Sequence, residues 1–415
     1  KAKACILLYM AGGPSHIDTF DPKPKLDELH LQKFVRKDKF ASAMASGERY
    51  FVRSPFRFRK AGEAGIDMCE HWEHLAGVAD ELCIYRGCQA ESINHPTANY
   101  HMNTGNKFGG DPAIGSWVTY GLGSENQNLP GYVVMTELAA PQGGSGNWSN
   151  GFLPAYYQGT RLRAEGSPIL DLKPPAWKPR EHQRANLDVL QEINRQHLAE
   201  HPQHDDLLAR MENYELAFRM QQQAPEAVDL SQETAATLDM YGVGTSPTDE
   251  FGRNCLVARR LVERGVTFVS VRCNTLGSWD DHTNIAGRMK KKGPAYDQAV
   301  AALVSDLHER GMNRDVMVVA MGEFGRTPRI NRNAGRDHWG RVMSVLLAGG
   351  DLPTGQVIGA SDGTGSRPLQ SPYRPEHVLG VLYRHLGIAP EMTFNDHSGR
   401  PRYVLEERDV IAELT

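Results

Sequence analysis

The run CILLYM at residues 5–10, followed at once by AGGPSHIDTFDPKP at 11–24, decides the fold. Six consecutive apolar residues have strand length, and the lack of polar alternation fits a strand buried on both faces, as in a parallel sheet. The Ala11-Gly12-Gly13-Pro14 segment then breaks the strand and opens a loop. In open α/β sheets ligands bind at the C-terminal ends of strands, so Ser15, His16, Asp18 and Asp21 start from a favourable position.

Similar runs recur outward from this one, at ELCIYRG (81–87), GYVVM (131–135), VTFVSVR (266–272), DVMVVAMGE (315–323) and SVLLAGG (344–350). Helical patterns alternate with several of them, which predicts an α/β fold: a doubly wound, mostly parallel sheet with helices on both faces, as a single domain over 1–415. Residues 180–240 are rich in Leu, Ala, Glu, Gln and Arg with helical spacing, and predict a helical insertion or cap within that domain. The Gly/Pro-rich stretch 141–180 reads as loops leading into it. No repeat of solenoid type is present.

The chain has 415 residues, with 46 Lys+Arg against 50 Asp+Glu and a formal charge of −4, too balanced for a general nucleic-acid or membrane-surface binder. No apolar run reaches the roughly 18 to 20 residues of a membrane span. Six cysteines without a CxxC pair make neither a disulfide scaffold nor a structural zinc site. A first residue of Lys fits either a trimmed product or a chosen boundary.

Four segments join a strand end or Gly-rich loop to His, Asp or Glu: His16 and Asp18 in GGPSHID, His95 in SINHPTANYHMNTG, Asp280 and His282 in SWDDHTN, and Glu323 with Asp337-His338 in MGEFGRTPRINRNAGRDHWG. Imidazole and carboxylate suit borderline divalent metals, and adjacent strand ends can gather such groups from distant parts of a chain. Any one of these histidines has an ordinary reading as a hydrogen-bonded structural residue. Asp280 with His282 is the best pair, since alternate residues of an extended segment face one side. A polar loop with a helix cap at Asp281 or Thr283 accounts for the same segment.

Arg326, Arg329 and Arg336 lie near Glu323 and His338, and a guanidinium suits a tetrahedral oxyanion; surface charge pairing explains them equally. Lys290-Lys291-Lys292 reads as a solvated helix face, and His201 and His204 as solvated. GASDGTGSRP (359–368) lacks the Gly-Lys-Ser/Thr ending of a P-loop, and neither a GxSxG elbow nor a GxGxxG fingerprint occurs.

In their order, CILLYMAGGPSHIDTFDPKP, NHPTANYHMNTG, SWDDH, and EFGRTPRINRNAGRDHWG with SVLLAGG resemble the sulfatase-like branch of the alkaline phosphatase superfamily. More narrowly, they resemble a poorly characterised family of exported bacterial proteins within it. The resemblance implies one or two metal ions acting on sulfate or phosphate esters, and a twin-arginine export signal, hence a periplasmic or secreted protein. Measured from Thr104-Gly105, His95 occupies the superfamily's nucleophile position, so the formylglycine mechanism is missing. His95 is left as nucleophile, metal ligand or general acid-base, with ligand preferred.

The first-strand metal Asp falls at Ala11 or Gly12 and is absent, and the Asp-His-Gly motif corresponds to Glu323-Phe324-Gly325. Asp280, His282 and His338 match the remaining ligands, with Glu323, His16, Asp18 or Asp337 available to complete the set, and Arg326 or Lys107 as oxyanion binders. The resemblance thus implies a metal-dependent sulfuric ester hydrolase acting on a sulfated glycan or small molecule, with zinc as the metal and calcium as the alternative. A phosphomonoesterase or phosphodiesterase, and a non-catalytic carbohydrate- or anion-binding protein, are the alternatives.

Overall fold

The computed structural model describes residues 1–34, 49–136, 142–202, 205–272 and 278–414. Eight strands form the main sheet: β1 Ala4–Tyr9, β2 Leu82–Cys88, β3 Tyr132–Met135, β4 Thr160–Leu162, β5 Phe268–Arg272, β6 Val316–Met321, β7 Met343–Gly349 and β8 Gln356–Ile358. Their order is β8-β2-β7-β6-β1-β5-β3-β4. All six positions of β1 are buried, and it pairs in parallel with β5 on one side and β6 on the other. The apolar run at the start of the chain therefore forms a central strand.

The alternation of β1 divides the core. Ala4, Ile6, Leu8 and Met10 face one apolar cluster, and Cys5, Leu7 and Tyr9 face the other. The longer helices are α1 His95–Thr104, α2 Ile114–Leu122, α3 Arg180–Glu200, α4 Asp205–Val228, α5 Asp249–Glu263, α6 Ile285–Glu309 and α7 Pro375–Leu386. Residues of α4, α5 and α6 pack in the first cluster, those of α1, α2 and α7 in the second. The fold is α/β, with helices on both faces of a mostly parallel sheet.

The structure departs from the sequence reading in identifiable places. Strand β7 runs antiparallel to both β6 and β2, although its apolar run resembles those of its parallel neighbours. The two edge strands, β4 and β8, have only three residues each and too little apolar pattern to be recognised. Helix α6 is capped by Asn284, whose side chain accepts from Gly287 N, and not by Asp281 or Thr283. Asp281 instead turns inward to Lys292 Nζ at 2.8 Å, so only Lys290 and Lys291 of the lysine run form an exposed face.

The 180–240 stretch contains α3 and α4, joined laterally by the fork of Arg184 on Glu215 at 2.7 and 2.8 Å. Leu216, Met220, Ala224 and Ala227 of α4 enter the core. Helix α3 is inverted: it buries Gln191 and Asn194 and exposes Val189 and Ile193. Cys5, Cys69, Cys83, Cys88 and Cys255 are buried and unbridged, while Cys273 and His204 lie outside the described residues. Among the described residues no helix is long and apolar enough to cross a membrane.

Candidate metal centre

The parallel strands β1, β2, β5 and β6 end at one edge of the sheet, and the chain just beyond those ends supplies Gly12, His95, Asp280 and Glu323. The reversed β7 brings its first residue, Met343, to the same edge, so His338 reaches the site from upstream of its strand. His95 is the first residue of α1. Asn94 caps this helix by accepting from Thr97 N, Pro96 suits its first turn, and Gly105 ends it at φ 77°.

Three imidazoles converge here on one carboxylate. His282 Nε2 and His338 Nε2 are 2.9 Å apart, and each lies 3.0 Å from Asp280 Oδ1. His95 Nε2 lies 3.4 Å from Asp280 Oδ2 and is a buried nitrogen without a hydrogen-bond partner. His95, Asp280 and His338 offer ligand atoms all within 4.8 Å of one another. A tetrahedral zinc with bonds of about 2.1 Å needs ligand atoms roughly 3.3 Å apart, so this spacing of 2.9 to 3.4 Å fits with small outward shifts.

The far nitrogen of each ring is held by an acceptor. His95 Nδ1 lies 2.6 Å from Glu323 Oε1, His282 Nδ1 lies 3.1 Å from Asp337 Oδ1, and His338 Nδ1 lies 2.8 Å from Ile93 O. An acceptor behind Nδ1 keeps the proton there and turns the Nε2 lone pair toward the common point. Glu323 is itself fixed by Gly12 N, at 2.8 and 3.0 Å to its two oxygens. A Cβ on Gly12 would sit 2.4 Å from Asp280 N, and its φ of +107° also favours glycine.

Burial alone would raise the Asp280 carboxyl pKa, but the surrounding His282, His338 and His95 imidazoles, with the Arg326 charge, pull it far below the carboxylate range. For His95, burial works to lower the pKa and is outweighed by the Asp280 and Glu323 carboxylates, which raise it to about 9. His338 shifts down, chiefly through burial. The Asp280 side chain retains 28% exposure, so the centre opens to solvent.

A family model described as "Protein of unknown function (DUF1501)" matches residues 2–415. The chain belongs to the DUF1501 family. No curated protein matches it. Solved structures similar to it include the lipoteichoic acid synthase LtaP from Listeria monocytogenes, at 8% identity over 94% of this chain and 72% of that one, with a TM-score of 0.37. The PsFucS1 sulfatase from Pseudoalteromonas sp. follows at 12% identity, 94% and 69% coverage, and 0.32. Alkaline phosphatase from the Antarctic bacterium TAB5 matches at 8% identity, 93% and 98% coverage, and 0.36. The fold of this DUF1501 member rests on its own strand order.

Of the residues expected at the DUF1501 site, Asp280, His282, His338 and His95 meet directly. Glu323 and Asp337 stand behind His95 and His282 as hydrogen-bond acceptors rather than beside the metal position. Asp337 also pairs with Arg49 and accepts from Asn331 Nδ2 at 2.9 Å.

Neither His16 nor Asp18 joins the cluster. His16 Nε2 contacts Gly365 O at 2.9 Å, and Asp18 forms an ion pair with Arg336 Nε at 2.7 Å, both groups fully buried. Arg326, expected to face an oxyanion, is turned inward: Nε donates to Gly13 O at 2.8 Å, Nη1 to Arg336 O at 3.0 Å, and Nη2 to Gly12 O and to Asp280 Oδ1 at 2.5 Å. Lys107 lies beyond the other end of α1 and pairs with Glu91 at 2.8 Å.

Sequence reasoning gave no role to Arg49, to Asn331 or to the Ile93 carbonyl. A backbone acceptor has no residue signature, and Arg49 and Asn331 acquire their meaning only by pairing with Asp337.

Proposed function

We infer that this DUF1501 member is a metal-dependent hydrolase of sulfate or phosphate esters, with zinc as its metal and sulfate esters of carbohydrates as the first substrate class. One observation carries this reading: three histidine Nε2 atoms face Asp280 while Glu323, Asp337 and Ile93 O hold the opposite nitrogens. A donor set of three imidazoles and one carboxylate suits zinc and disfavours calcium, which prefers an all-oxygen shell. The class of ester, and export to the periplasm or beyond, rest on the resemblance of the motif order to exported sulfatase-like proteins.

When bound, the metal would supply Lewis acidity toward the ester oxygen and acidify an attacking water. The protein's own groups prepare that chemistry. Arg326 keeps Asp280 ionised and aimed, and Glu323 and Asp337 orient His95 and His282 and keep their protons on Nδ1. With Nδ1 engaged by Glu323 and Nε2 toward Asp280, His95 acts as a ligand and leaves the attack to water.

Elemental analysis of the purified protein, paired with turnover of matched sulfate and phosphate esters, tests the reading. The expected result is about one equivalent of zinc, with both the zinc and ester cleavage lost in Asp280→Ala. Retained cleavage in Asp280→Ala would overturn it. So would a protein that takes up neither zinc nor calcium on reconstitution and cleaves no ester, which would favour a non-catalytic anion-binding role.

A further inference from the structure

A second charged group lies buried at the same sheet edge, on the β5 side. Arg272 ends β5 and is in register with Tyr9 on β1. On its other flank the β3 register pairs Met135 with Val271, which brings Thr136 alongside Arg272 one step later. Helix α1 lies over this row. Four residues beyond His95, Asn99 accepts from the Tyr9 hydroxyl, and four further on Asn103 Oδ1 accepts from Arg272 Nη2 at 3.4 Å. The guanidinium carbon lies 4.6 Å from the Tyr9 ring centroid and 5.6 Å from that of Trp148.

Arg272 is only 3% exposed, its Nε and Nη1 have no acceptor, and among the described residues no carboxylate forms an ion pair with it. Thr136 Oγ1 alongside, Ser270 Oγ two residues back on the same strand face, and Asn147 Oδ1 next to Trp148 are also buried without partners. A guanidinium stays charged in proteins, and a desolvated charge without a counter-charge is among the costliest things a fold can contain. Two aromatic faces, one long hydrogen bond and the Glu323 carboxylate, which acts on it without forming an ion pair, offset only part of that cost. Burial lowers the Arg272 pKa, as expected for a cation short of partners.

We propose that Arg272 is a specificity residue that binds a second oxyanion group of the substrate, a carboxylate, sulfate or phosphate, displaced along α1 from the ester held at Asp280. Eight residues of helix separate His95 from Asn103, about 12 Å of rise between the two residues of α1 that mark the two sites. The planar fork of Arg272 suits such a group, with the Thr136 hydroxyl as an additional donor. The substrate role rests on the hydrolase reading above, whereas the anion site does not.

The test compares the purified full chain with Arg272→Met and Asp280→Ala, following melting temperature against inorganic sulfate and inorganic phosphate at constant ionic strength. The expected result is a saturable rise in the wild type and in Asp280→Ala, and no rise in Arg272→Met. If Arg272→Met does not fold, Arg272→Lys keeps the charge without the fork, and its response is expected to need roughly tenfold more anion.

An equal response in wild type and Arg272→Met, or none in the wild type, would overturn the proposal. With esters as substrates, Arg272→Met should raise KM by roughly tenfold or more for one bearing a second anionic group, relative to the singly charged analogue. Equal effects on both would overturn the substrate role. Failure of the hydrolase reading would leave the melting experiment intact, because it is read without turnover and repeated in Asp280→Ala.

Discussion

Two fully buried arginines stand at one sheet edge and live in opposite circumstances. On the β6 side Arg326 donates to three carbonyls and to Asp280, while next to it Arg336 meets Asp18. On the β5 side Arg272 has one long hydrogen bond, two aromatic neighbours and idle nitrogens. A charge whose donors are already taken shapes a site and has little left to offer a ligand. An equally buried charge with free donors keeps the capacity to recognise one. Proximity to the metal position therefore misleads: Arg326 touches Asp280 and positions it, and the more distant Arg272 has the capacity to bind.

The sharpest way to break this contrast is to remove each guanidinium in turn. Arg326→Met strands Asp280 and the Gly12, Gly13 and Arg336 carbonyls, and should cost about 3 kcal/mol of stability, at the low end for a broken buried pair because Asp280 is partly exposed. Arg272→Met removes a buried charge that has no ion pair and should leave stability equal or improved. Urea midpoints of the two variants measure the difference, and equal losses would erase the distinction.

Glu323→Gln tests the saturated side more gently. It leaves every metal-facing atom in place but weakens the acceptor behind His95, and should lower zinc affinity by about 10- to 100-fold in competition with a chromophoric chelator. An unchanged affinity would mean that Glu323 does not orient His95.

The smallest effect concerns α1, which serves both sides. Its His101 Nε2 lies 2.6 Å from Glu376 Oε2 on α7, both buried. Burial pushes the Glu376 carboxyl up, but the hydrogen bond from His101, with Arg374 nearby, more than compensates and lowers its pKa. A carboxyl whose folded-state pKa is depressed stabilises the fold above its unfolded value of 4.5, and that contribution fades as pH falls through the lower folded value. Glu376→Gln should therefore cost about 1–2 kcal/mol near neutral pH and progressively less below pH ~4. A pH-independent difference between the two proteins would remove the ion pair as its cause.

Much of the sheet was legible because β1, β2, β3, β5, β6 and β7 each carry an apolar run, which is the physical requirement for burial on two faces. The direction of β7 was not legible, since reversing a strand leaves its apolar pattern unchanged. Strands β4 and β8 sit at the edges, where three residues suffice. At the site, Asp280, His282, His338 and His95 stood out as chemistry-bearing residues beside strand ends or in a Gly-rich loop. The positions of Glu323 and Asp337 behind histidines depend on tertiary distances of a few ångströms that spacing does not encode. Arg272 did leave a trace, as the one charged residue closing the buried run VTFVSVR, but a terminal Arg on a strand ordinarily reaches solvent.

The reversed strand has a further consequence, for the order in which the molecule can be completed. β7 sits between β6 and β2, and the segment leading into it carries His338. Until roughly the last fifth of the chain is available, β2 has no neighbour joining it to β6, and His95 has no His338 to meet. Closing such long-range pairings is slow and comes late in folding. Assembly of the His–Asp cluster is thereby tied to completion of the sheet, so a half-made chain cannot bring its three histidines together.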